Sequence, residues 1–166
     1  MNFAASILYV MQLFNFLFFL FTHSLLRWLV LGSLVYTLYR AYMGYRQKRT
    51  FTATDNAARH WTATIAHIQL VMGILLYIKS PLTTYFRKHT GAALHQMEFA
   101  FFGLIHALLM FAAIIVITLG SALAKRSNTD EDKFRTLLRW YVAALIIISL
   151  AIPWPFSPLA QRPLIR

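Results

Sequence analysis

The sequence predicts an all-α protein, a transmembrane up-down four-helix bundle. Three observations carry that expectation. Over 166 residues the chain is 59% hydrophobic, 16% aromatic and only 13% charged, too apolar to cover a water-soluble globule of its size. Four windows approach the roughly 20 apolar residues that a helical span needs: about 17–39, 61–78, 99–123 and 137–154. The connections between them are short, so residues 1–166 form a single integral membrane domain with no soluble one, closed by a proline-rich tail over 153–166.

The first span follows an apolar start that lacks the basic region of a cleavable signal, and the start is therefore expected to be retained. This span holds the run "FTHSLLRWLV", in which His23 and Arg27 sit one helical turn apart on the same face. "TATDNAARH" opens the second helix with Thr54 or Asp55 as its N-cap, and Pro81 in "KSP" closes it, because proline cannot continue the hydrogen-bond ladder. The third span carries His106. "SNTDEDKFR" is a polar turn in which Thr129 or Asp130 caps the fourth helix, with acidic residues at its positive end. "IPWPFSPLAQRP" ends that helix, and its four prolines predict an extended tail with Trp154 and Phe156 in the interfacial belt. Gly32, Ser33, Gly73 and Gly103 are small enough to permit close helix approach.

Charge supplies the orientation. Arg40, Arg46, Lys48, Arg49 and Arg59 flank the first connection, and Lys125, Arg126, Lys133, Arg135 and Arg139 flank the third. The positive-inside bias puts both loops in the cytoplasm and both termini outside. Lys79, Arg87, Lys88, Arg162 and Arg166 fall on the opposite side. The net charge of +11 therefore reports topology and contact with anionic lipid. Nucleic acid is excluded as a partner, because no aromatic stacking residues interleave with the basic ones in a polar segment. Cysteine is absent, which removes disulfides, thiolate chemistry and c-type haem attachment.

Six histidines remain to be explained. His60, His89 and His95 belong to helix ends or connections, whereas His23, His67 and His106 fall within three different spans, where polar groups mark ligand, ion or proton sites. His23 is about 17 residues from Arg40 and His106 about 19 from Lys125, which puts both roughly 25 to 29 Å from the cytoplasmic charges. His67, about 8 residues from Arg59, is roughly 12 Å in, nearer the inner side or the midplane. Two imidazoles from separate helices at one depth match the chemistry of a bis-histidine b-type haem, clamped between His23 and His106. Arg27 needs an anionic partner, either a haem propionate or Glu98. His67 either replaces one of the ligands, lines a quinone pocket or carries protons, with Gln69, Met72 and Gly73 beside it.

The runs "HSLLRWLVLGSLVYTLYRAYMG", "HIQLVMGILLY", "GSALAKRSNTDEDKFRTLL" and "IPWPF" resemble a group of small bacterial four-helix membrane proteins labelled cytochrome b-like. The resemblance covers the chain from about His23 onward. It implies haem b, held among His23, His67 and His106, electron transfer with a quinone or within a respiratory or other redox complex, and residence in the bacterial inner membrane. Other chemistries fit less well. There is no G-x-S-x-G nucleophile elbow, Glu98 is the single carboxylate near a span for a metal site, and the interrupted half-repeats of a secondary transporter are not visible. The alternative of another class is a haem-free accessory subunit of a larger membrane complex. Lipid is a partner on either reading, together with a membrane-protein partner or a second copy.

Overall fold

The computed structural model describes residues 3–157 together with 160, 162 and 163. Arg166 and most of the tail beyond residue 157 lie outside the described residues. The described chain is helical, with no strand among its residues. In chain order the elements are α1 (Phe3–Arg46), α2 (Ala53–Lys79), α3 (Pro81–Lys88), α4 (Thr90–Leu94), α5 (Met97–Ala100), a π-helical turn (Phe101–Ile105), α6 (His106–Arg126) and α7 (Asp130–Ala151). Four helices are long and apolar enough to cross a membrane: α1, α2, the continuous helix Met97–Arg126 and α7. Large apolar side chains on all four stay exposed, among them Leu29, Val71, Phe111 and Ile146, as lipid contact requires.

The first three spanning helices outrun the windows that composition marks at both ends, while α7 starts seven residues ahead of its window and stops at Ala151, three short of its end; the reasons are chemical. The second helix begins at Ala53, capped by Thr52: the Thr52 hydroxyl accepts from the Asp55 amide, and the Asp55 carboxylate accepts from the Thr52 amide. This reciprocal box makes Asp55 the third residue of the helix and moves the cap two or three positions ahead of the Thr54 or Asp55 expected. Thr129 caps α7 through the Asp132 amide, and Asp130, Glu131 and Asp132 in its first turn oppose the positive helix end. Pro81 stops α2 and becomes the first residue of α3. Arg87 then donates to the Tyr77 and Ile78 carbonyls left open at the end of α2, where a cation complements the dipole.

Over 153–157 the chain is not extended as expected; most of the remaining tail lies outside the described residues. The Trp154 amide donates to the Ile152 carbonyl and the Ser157 amide to the Trp154 carbonyl. These bonds turn the chain back, so that Trp154 packs edge-on against Trp28 at 6.3 Å while Phe156 stacks on Trp154.

In the packing, α1 contacts α2 and α7, and α6 contacts the same two. Paired residues run in opposite senses along each contact. Arg40 meets Asp55 and His23 meets Gln69 between α1 and α2; Arg59 meets Ser121 and Tyr77 meets Gly103 between α2 and the third span. Gly120 abuts Trp140, and His106 bonds Ala151, between α6 and α7. The shared core is built from Leu34, Ala66, Ala113, Ile117, Phe134, Leu137, Tyr141 and Ile148, with alanines letting backbones approach.

Close approach does not fall on all the small residues named from sequence. A Cβ on Gly32 would meet nothing within 4 Å, whereas one on Gly103 would enter the Phe86 ring and one on Gly44 the Phe134 ring. Buried polar groups tie the helices instead. Thr62 donates to the Ser33 carbonyl at 3.0 Å, so the proton in the 2.9 Å Thr37–Thr62 bond belongs to Thr37.

Candidate functional site

The site lies at the end of the molecule opposite the first and third connections. His23 and Arg27 project from α1, Gln69 and Gly73 from α2, and His106 opens α6. His23, Arg27 and His106 lie within electrostatic reach of one another. Two of the three histidines singled out from sequence are thus brought together with the arginine, and the third is not.

Local structure explains how each side chain is held. The π-helical turn just before His106 makes its amide donate five residues back, to the Phe101 carbonyl. Such a turn inserts an extra residue into the helix and rotates the residues beyond it about the helix axis. Tyr77 donates to the Gly103 carbonyl at 2.8 Å inside this turn, and the Phe86 ring fills the space beside Gly103. His106 Nδ1 lies 2.8 Å from the Ala151 carbonyl. A carbonyl only accepts, so Nδ1 carries the proton and Nε2 keeps the lone pair. Phe101 and Phe102 flank the imidazole at 5.8 and 6.2 Å.

His23 rests against Gly73, where an added Cβ would come to 3.4 Å from Cε1. Gln69 Nε2 donates to the His23 carbonyl at 3.0 Å and lies 3.3 Å from His23 Nε2. His23 Nδ1 and Gln69 Oε1 are buried without a hydrogen-bond partner among the described residues, a costly arrangement in a protein interior. The Arg27 guanidinium lies 5.4 Å from the Trp28 ring. Glu98, weighed from sequence as its partner, pairs with Arg162 instead, whose guanidinium also lies over the Phe102 ring.

His67 occupies a different place. It is exposed on the outer face of α2, with Nδ1 2.7 Å from the Ala63 carbonyl and Nε2 3.3 Å from the Thr118 hydroxyl on α6. An open groove of about 250 Å³ runs beside it, lined by Leu70, Phe111, Ile114, Ile115, Thr118 and Leu119. His60, His89 and His95 are exposed.

The opposite end holds charge clusters that in the sequence read only as topology signals. Asp55 is 2% exposed and accepts from Arg40 Nε at 2.8 Å and from Arg49 Nη1 at 2.7 Å. Those hydrogen bonds hold the Arg49 guanidinium above its ordinary, already high pKa. Arg59, 6% exposed, spends its protons on Asn56 and on the carbonyl and hydroxyl of Ser121.

No group of three or more histidine, cysteine or acidic side chains able to hold a metal ion occurs among the described residues. Comparison with protein-family models, with curated proteins and with solved structures finds no match to this chain.

Proposed function

We propose that the protein is a b-type haem membrane protein for electron transfer, exchanging electrons with a quinone or within a redox complex. In this reading the four spans form an up-down bundle in the bacterial inner membrane, with both termini outside. The single observation that supports it best is that His23 and His106, from separate helices, lie within electrostatic reach of each other and of Arg27.

The residues fit the group on two counts. His106 is fixed in the tautomer that leaves Nε2 as an electron-pair donor, through its bond to the Ala151 carbonyl. His23 keeps a buried ring nitrogen with no hydrogen-bond partner among the described residues. Arg27 would meet a propionate, and Gly73 keeps the His23 ring free of a Cβ. Haem, when bound, supplies one-electron carriage, with a potential set by its axial ligands and their hydrogen bonds. The chain's own contribution is to hold two imidazoles, fix the tautomer of His106 and exclude water with Phe101, Phe102 and Trp28.

The haem-free accessory subunit remains the second reading, favoured by the Gln69–His23 contact, which occupies Nε2 of that imidazole. A pyridine haemochrome assay on protein purified in mild detergent separates the two. Haem b with a low-spin reduced spectrum, lost in both His23→Ala and His106→Ala and kept in His67→Ala, is the expected outcome. A folded, colourless preparation after expression with haem precursor would sink the haem reading. Loss of the spectrum in His67→Ala with retention in one of the others would reassign the ligands.

A further inference from the structure

Between α2 and α6, away from the site above, a histidine and a threonine face the groove that opens toward lipid. The protons there can be assigned. His67 Nδ1 lies 2.7 Å from the Ala63 carbonyl; only a proton on Nδ1 makes that contact favourable, so Nε2 is an acceptor. The Thr118 hydroxyl has one proton and two neighbours, the Ile114 carbonyl at 2.6 Å and His67 Nε2 at 3.3 Å. The shorter bond takes it. A nitrogen lone pair and a hydroxyl oxygen are then left side by side, two acceptors offered to one incoming donor.

Around this polar spot everything is apolar: Leu70, Phe111, Ile114, Ile115 and Leu119. His67 is about 12 residues from Lys79 and about 8 from Arg59, roughly 18 and 12 Å from the charged groups on either side, a level at which an exposed side chain of a spanning helix faces hydrocarbon. Water is scarce at that depth, and a polar group facing lipid is costly unless satisfied. An occupant must therefore be lipid-soluble, reach the groove sideways from the bilayer, and bring a good hydrogen-bond donor. About 150 Å³ of apolar cavity takes a benzene ring, so the groove, at about 250 Å³, has room for a substituted ring against Phe111. A phenolic hydroxyl donates more strongly than an aliphatic one and suits a pair of acceptors.

We infer that the groove between α2 and α6 binds the head group of a lipid-soluble hydroquinone, one ring hydroxyl donating to His67 Nε2 beside Thr118. The choice of hydroquinone over other lipid-soluble phenols rests on the electron-transfer reading proposed above. The groove, the acceptors and their depth do not.

The test is a fluorescence titration of the full chain, one copy per nanodisc, with 2-heptyl-4-hydroxyquinoline N-oxide, a hydroxyl-bearing bicyclic compound with an alkyl tail. Wild type should bind saturably, and the O-methylated probe, which has no donor, at least tenfold more weakly. His67→Leu should weaken binding at least tenfold, and Ile115→Trp, which fills the groove and keeps His67, should abolish it. Thr118→Val should cost less, about threefold. Circular dichroism and gel filtration of each variant separate lost binding from lost fold.

Unsaturable partitioning, or equal affinity in wild type, His67→Leu and Ile115→Trp, would overturn the site. So would copies that cross-link through Ile115→Cys without competition from the probe, because a second copy would then cover the groove. Saturable, donor-dependent binding by a preparation without haem keeps the site and removes the redox reading; haem with no probe binding does the reverse.

Discussion

Asp55 is the residue whose loss the bundle should feel most at its charged end. Its carboxylate accepts from Arg40 Nε at 2.8 Å, Arg49 Nη1 at 2.7 Å and Nη2 at 2.9 Å, and from the Thr52 amide and hydroxyl at 2.9 and 2.6 Å. Removing one partner of a buried ion pair typically costs about 3 to 5 kcal/mol. Here the arginine side chains are 23% and 27% exposed and can partly rehydrate, so Asp55→Ala should fall at the lower end, about 3 kcal/mol. Arg40→Met leaves the carboxylate paired with Arg49 and should cost about 1 kcal/mol. The double variant should cost less than the two singles together, because removing Arg40 relieves the repulsion that Asp55→Ala exposes. Unfolding in mixed micelles on titration with dodecyl sulfate, followed by helicity, measures all three. Strict additivity, or an Asp55→Ala change within about 0.5 kcal/mol of wild type, would refute the argument.

Three further outcomes are expected. Gly103→Ala drives a Cβ into the Phe86 ring and should cost about 1 to 3 kcal/mol by overpacking, while Gly32→Ala, with nothing within 4 Å, should gain about 0.5 to 1 kcal/mol from reduced chain entropy; the same micelle titration ranks them. Thr62→Val strands the buried Thr37 proton and should cost about 1 to 3 kcal/mol, more than Thr37→Val, which leaves Thr62 bonded to Ser33; thermal melts in detergent decide the order. Single cysteines at Arg46 and Asn128 should react with an impermeant maleimide only from the cytoplasmic side, and labelling of either from outside would reverse the proposed orientation.

Helical class and the four apolar stretches were legible because hydrophobicity and length are properties of local sequence. That His23 and His106 lie within electrostatic reach of each other was legible for a similar reason: counting residues from the charged ends gives depth, and depth in a bundle is most of position. Rotation about the helix axis is a different quantity. His67 carries the same chemistry as the other two, yet the turn of α2 sends it outward. Nothing in a single sequence fixes that turn when a helix is apolar nearly all round. The same blindness hid Gln69 as the neighbour of His23, the π-helical turn ahead of His106 and the burial of Arg59 against Ser121. The pairing of Glu98 with Arg162 is a tertiary contact that the prolines, read as extension, did not reveal.

At 44 residues, α1 is about 66 Å long, roughly twice the thickness of a bilayer's hydrocarbon core. A rod longer than the slab it crosses has no preferred height of its own, since apolar side chains such as Val10, Phe14 and Leu17 are equally at ease over a range of positions. Height must be set elsewhere, and the Arg40–Asp55–Arg49 knot is the stop against which the rod comes to rest. Inserting one residue into α1 between His23 and Arg40 would lift His23 by about 1.5 Å and swing it by about 100° relative to His106, whereas the same insertion near Phe14 would leave the relative placement of the two imidazoles untouched.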